Sequence, residues 1–109
     1  MFEIILMALK AIWDFLKKVF VRICSFVSNI LGFFKDINRV RKLQEDKNRI
    51  AVSIKEKLAS GDYNVVNCLF DTLTNEVVDA QTDAEVINAE DLDADTLRNF
   101  GDKNMLVIK

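Results

Sequence analysis

The chain has 109 residues, half of them apolar, with no His and no Pro. This excludes His-based triads, His general bases and His-containing zinc sites, and it favours long uninterrupted helices. The net charge of −2 hides a division: residues 1–58 carry twelve Lys or Arg against six Asp or Glu, and residues 59–109 carry three against eleven, so the acidic half is disfavoured on nucleic acid and the basic half suits an anionic surface.

The first predicted element is a helix from about Phe2 to Phe34. Apolar residues recur every seven positions in three rows: from Ile5 (Ile12, Val19, Phe26, Phe33), from Leu9 (Leu16, Ile23, Ile30) and from Leu6 (Trp13, Phe20, Val27, Phe34). On a helix these rows form one stripe roughly 100° wide. Six of the eight Phe and the only Trp lie in this segment. The expected membrane or oligomer contact set is Trp13, Phe15, Leu16, Phe20, Ile23, Phe26, Ile30 and Phe34, with Lys10, Lys17, Lys18 and Arg22 as a polar edge that can snorkel. The longest charge-free run, Ile23 to Phe34, has twelve residues. A simple span needs about 20, so an in-plane or bundled helix is expected before a lone span. If the helix spans, the cations at Lys35, Arg39, Arg41 and Lys42 favour N-out and C-in.

Residues 35–60 read as a charged helical connector with a narrow seam of Ile37, Val40, Leu43, Ile50, Ile54 and Leu58, close to a coiled-coil edge. The break from the first helix is expected near Gly32 or Lys35. Its basic run reads as a solvated surface laced with i,i+4 pairs. Ser60-Gly61-Asp62 reads as a helix stop, with Gly61 at the left-handed cap.

After Gly61 the apolar period falls to two. Tyr63–Phe70 reads as a strand, Asp71–Asn75 as a turn and Glu76–Gln81 as a second strand. Ala84–Asn88 continues as a third strand or past a bulge. Asp91 or Asp93 caps a helix over Ala94–Phe100, Gly101 ends it, and Met105–Ile108 closes the module. The predicted fold is therefore α+β: a long N-terminal amphipathic helix, then a small acidic ββαβ module over residues 61–109.

Chemistry-bearing motifs are sparse. Asp91, Asp93 and Asp95 have the spacing that opens a calcium loop, but the sixth and twelfth positions hold Thr96 and Asp102 instead of Gly and Glu. They read as an acidic helix start. Cys24 and Cys68 have no metal spacing, and Cys68 reads as a core thiol in a reducing compartment. No P-loop, GxGxxG or GxSxG occurs. The expectation is a non-enzymatic protein of bacterial or phage type, with no cofactor and no metal. Its N-terminal helix anchors it to the cytoplasmic side of an anionic membrane or assembles it into a homo-oligomer, and its C-terminal module is a cytosolic interaction face for scaffolding. The alternatives are a soluble inhibitor-, antitoxin- or immunity-type partner that docks on a protein target through the helix, and a membrane-permeabilising effector.

Overall fold

A computed structural model describes residues 1–108. The N-terminal helix is short: α1 covers Phe2–Ala11, and a single 3-10 turn at Trp13–Phe15 follows it. The chain then becomes strand β1, Lys17–Cys24. A wide π-type helix, Phe26–Leu31, runs directly into α2, Gly32–Phe34. Helix α3 spans Ile37–Glu45 and strand β2 spans Arg49–Lys57. Strand β3 (Tyr63–Asp71), the two-residue strand β4 (Glu76–Val77) and the short helix α4 (Ala80–Asp83) come next. Strand β5 (Ala84–Leu92), helix α5 (Ala94–Phe100) and strand β6 (Met105–Ile108) complete the chain.

The molecule is mixed α+β, with a helix at its N-terminus and one six-stranded mixed sheet. The strand order is β1-β5-β3-β2-β6, and β4 pairs with β3 beside this path. The β1–β5 pair is parallel and all the others are antiparallel. Strands from the N-terminal segment, the charged connector and the acidic module therefore share one sheet. Strands β2 and β3 lie in its middle, and residues 51–54 and 65–70 are buried on both faces.

Two apolar layers cover the sheet. On one face, Ile5 and Leu9 of α1, with Leu16, pack on Val52, Ile54, Val66, Cys68, Phe70 and Val86. On the other, Ile30, Phe33, Phe34 and Phe100 pack on Ala51, Val65, Leu69, Ile87 and Ala89.

This corrects the expected long helix. Helix α1 ends at Ala11, because the residues after it satisfy two periods at once. In β1, Val19 and Val21 pack against the core cluster while the alternating Lys18, Phe20 and Arg22 are exposed. A β-branched, aromatic run of this kind fits a half-buried pleated surface, and pairing along β5 gives the segment backbone partners. The connector is corrected in the same way. Its second half is β2, a central strand in which Val52 and Ile54 face α1 and Ala51 faces the other layer. Spacings of four in Ile50, Ile54 and Leu58 mimic a helix, but Ala51, Val52 and Ser53 between the first two are all buried as well, as a strand buried on both faces requires.

The ββαβ description is matched in part. Strand β3 starts at Tyr63, α5 covers Ala94–Phe100 with Asp93 as its cap, and β6 starts at Met105. The expected second strand shrinks to Glu76–Val77. Asp79 has a positive φ of 46° there and turns the chain into α4. Gly61 does need a positive φ, 95°, but in the hairpin loop between β2 and β3. That loop is closed by Leu58 N–H to Asp62 C=O at 2.8 Å and Gly61 N–H to Leu58 C=O at 2.9 Å. Helix α2 ends at Lys35, and Asp36 caps α3 by accepting from the Asn38 and Arg39 amides at 3.0 and 3.2 Å.

Candidate association surface of the N-terminal segment

The residues expected to form one contact stripe are split between core and solvent. Leu16, Ile30 and Phe34 are buried in the protein's own core, and Trp13 and Phe26 are half-buried. Phe15 is 79% exposed and Phe20 77% exposed, and Ile23 also faces solvent. As a single helical face the set does not exist. What remains open is its unburied part, together with the outer side of α1.

Helix α1 explains this opening. Only Glu3 and Lys10 among its ten residues are polar, and both are exposed on its outer side. Ile5 and Leu9, one turn apart, fill the sheet-facing side. Ile4 and Met7 point away from the sheet, and Met7 is 72% exposed. A helix covered on one side alone normally carries polar residues on the other. Here the outer side is mixed: Ile4 and Met7 are exposed between the charged Glu3 and Lys10.

The 3-10 turn carries Phe15 outward and folds Trp13 back. Trp13, Lys18, Phe20, Asn64, Val86 and Asn88 line one shallow cleft, which places Phe20 on the α1 side of the sheet. The Trp13 ring lies between two ammonium groups, Lys10 at 4.0 Å and Lys18 at 5.6 Å from its centroid. Such contacts contribute roughly 0.5–1 kcal/mol at exposed sites. Lys18 Nζ also donates to the carbonyls of Trp13 and Leu16 at 2.5 and 3.0 Å, and Lys10 lies 3.5 Å from Glu56. Two of the four expected edge cations are thus tied down. Among the described residues Lys17 and Arg22 carry no ion pair and project from β1.

Three polar constellations lie elsewhere. Asn67 is buried at the centre of β3. Its Oδ1 accepts from Ser53 Oγ at 2.9 Å, and its Nδ2 donates to the Asn29 carbonyl at 3.0 Å and to Glu85 Oε2 at 3.1 Å. Burial pushes the Glu85 carboxyl up, against the Asn67 hydrogen bond and the charges of Arg39 and Lys17. The Ser53 hydroxyl donates to an amide oxygen rather than to a base, so the trio pins β2, β3, β5 and the π-type helix together without forming a proton relay. No sequence spacing links these residues; a polar Asn inside an apolar strand was the available signal.

The basic run over residues 39–49 divides. Arg49 at the start of β2 pairs with Glu45 at the end of α3 at 3.7 Å. Arg39 and Lys42 instead reach across to α4. Arg39 Nε lies 3.2 Å from the buried Asp83, and Lys42 contacts both Asp83 and, at 2.8 Å, Asp79. Hydrogen bonds donated to Asp79 and then to Asp83 hold the Lys42 ammonium above its ordinary range. Arg39 also stacks 3.8 Å from the Phe33 ring centroid and donates to the Phe33 and Thr82 carbonyls. With its cations neutralised in this way, the cluster is a clasp between α3 and the start of β5.

Asp93 caps α5. It accepts from the Thr96 amide at 2.9 Å, the Thr96 hydroxyl at 2.6 Å and the Phe26 amide at 3.3 Å. Burial opposes ionisation of its carboxyl, but these bonds, with Arg98, hold it below its ordinary range. Asp91 donates no ligand to a shared centre: its side chain accepts from the Leu92 amide. Among the described residues no group of three or more carboxylates or thiols has the geometry of a metal site. Both cysteines are buried and reduced. Burial pushes each thiol up to about 12, at Cys24 with help from Asp93 and Glu85. A cleft of about 370 Å³ opens between α2, α3 and the sheet over Phe34, Leu43 and Ala51, with Lys35 at its rim.

The sequence matches no protein-family model, and comparison with curated proteins and with solved structures finds no match. No helix among the described residues is long and apolar enough to cross a membrane, so the N-out, C-in orientation has no helical span to act on.

Proposed function

We propose that this chain is a non-enzymatic association module that lies on an anionic membrane surface through the outer side of α1 and the adjoining turn. The exposed apolar side chains of α1 and the turn after it carry this reading. Ile4 and Met7 are exposed on a helix with almost no polar residues, and Phe15 stands out from the turn that follows. The nearby charge supports a lipid surface. Lys10 at the end of α1 and Lys18, both beside Trp13, lie on this side of the sheet. Shallow insertion of apolar side chains flanked by cations is how interfacial helices bind anionic lipid.

Liposome flotation of the whole chain tests this. The wild type is expected to float with anionic vesicles, less so with zwitterionic ones, and to release lipid as ionic strength rises. Replacing Ile4 and Met7 together by Asp is expected to abolish flotation without unfolding, since both side chains point to solvent. A wild-type protein that stays with the lipid-free fraction at low salt rejects the reading.

A further inference from the structure

We infer that the free edge of β1 is a self-pairing seam, on which a second copy of this chain adds its own β1 antiparallel across a two-fold axis at Val21. Strand β1 has one sheet neighbour, β5, and its other side is open. An open edge presents unpaired amides and carbonyls and is a template for another strand. This edge is eight residues long, against four for β6 at the opposite end of the sheet, so it is not blunted by shortness. Val19 and Val21 touch the core but remain half-exposed, and Phe20 and Ile23 are exposed. The core is unfinished on this side.

Register arithmetic selects the partner's position. Antiparallel neighbours in one continuous sheet set same-face residues opposite each other, so a two-fold seam centres on a single residue. Centring on Phe20 sets Lys18 opposite the partner's Arg22 twice, and like charges directly opposite are destabilising. Centring on Val19 shortens the ladder to Lys17–Val21 and leaves Ile23 uncovered. Centring on Val21 pairs Lys18 through Cys24. Val21 then meets Val21 on one face, the side of the core cluster that Val19 also packs against. On the other face Phe20 meets Arg22 twice, a reciprocal cation–aromatic contact. No like charges stand directly opposite, and the exposed Glu90, between the Val21–Ala89 and Ile23–Asp91 pairs of the β1–β5 ladder, lies beside Arg22 as a counter-charge. Charge and ladder length agree on this one register.

The seam is independent of the membrane reading, because it uses β1 rather than α1 and is measured without lipid. Sedimentation of the full chain is expected to give a concentration-dependent dimer. Phe20 is exposed, so charge changes there leave the fold intact. Phe20→Glu sets a carboxylate opposite each Arg22 and is expected to tighten the dimer about fivefold, and Phe20→Lys to loosen it about as much. In the Phe20-centred register both changes would loosen it, since like charges would then meet at the axis. Under mild oxidation Val21→Cys is expected to cross-link as a disulfide dimer and Val19→Cys is not. The buried Cys24 and Cys68 give no background. The Ile4, Met7 double Asp variant is expected to dimerise normally. A chain that sediments as a monomer at every attainable concentration overturns the inference, as does a dimer that Phe20→Glu weakens or that Val19→Cys cross-links.

Discussion

Strands β1 and β3 are built from the same kinds of residue and meet opposite fates. KKVFVRIC and YNVVNCLFD are both rich in Val, Phe and Cys. Strand β3 has neighbours on both sides and residues 65–70 are all buried; β1 has one neighbour and five of its eight residues are exposed. The apolar content of a strand therefore does not say how much of it stabilises the fold. Its place in the sheet does. In β3 apolar residues hold the molecule together, and in β1 the same residue types are left for something outside it.

The sharpest way to break this comparison is to truncate one phenylalanine in each strand. Phe70→Ala removes a ring buried between β3 and α1 and is expected to cost about 3–5 kcal/mol. Phe20→Ala removes a ring in solvent and is expected to cost about 0.5 kcal/mol or less in lipid-free, dilute protein. Urea unfolding of both variants at one low concentration measures the pair. Equal losses would mean that β1 is as structural as β3.

Asn67→Ala sharpens the role of β3. It strips partners from Ser53, the Asn29 carbonyl and Glu85 together, with an expected cost of about 1–3 kcal/mol for the orphaned groups. It also removes the hydrogen bond that opposes the upward push on Glu85, so that carboxyl moves further up. A group whose folded value is raised stabilises most when protonated, and that contribution is lost as pH rises through the folded value. The variant is therefore expected to lose more stability at neutral pH than at pH 4, as a pH series of urea midpoints reads. An equal loss at both values would show that Glu85 is not coupled to Asn67.

A smaller loss than that of Asn67→Ala is expected where the two strands' surroundings join. Asp93 links α5 to the Phe26 amide just beyond β1. Asp93→Ala is expected to cost about 1 kcal/mol, the usual value of an N-cap. Because the carboxyl sits below its ordinary range when folded, its contribution is present at neutral pH and fades as pH falls through that folded value. Wild type and variant should therefore converge in stability in strong acid. A gap that stays constant to low pH would assign the loss to packing instead of the ionised cap.

Much of the second half was legible in order along the chain. Asp93 as a cap, the helix to Phe100, Gly101 after it and the strand from Tyr63 all follow from local chemistry: side-chain caps, a residue able to take positive φ, and alternation bounded by turn residues. The first half lacks such punctuation. From Ile23 to Phe34 no charged residue interrupts the chain, and Val19, Phe26 and Phe33 fit a seven-residue row as well as Val19, Val21 and Ile23 fit alternation. Of the proposed contact residues, Phe15, Phe20 and Ile23 stay outside, while Leu16, Ile30 and Phe34 are taken into the core.

The sequence by itself determined the mixed composition, the basic and acidic halves, the caps and turns after Gly61, and the surplus of apolar residues near the N-terminus. Only the tertiary structure decided how that surplus divides. The choice between helix and strand at residues 17–24 rests on a ladder with β5, 68 positions further along the chain, and no local pattern carries information about a partner that distant. Once β1 pairs with β5 alone, one face and one edge of it are satisfied. The other edge, with the outer side of α1, is what remains to meet a second surface.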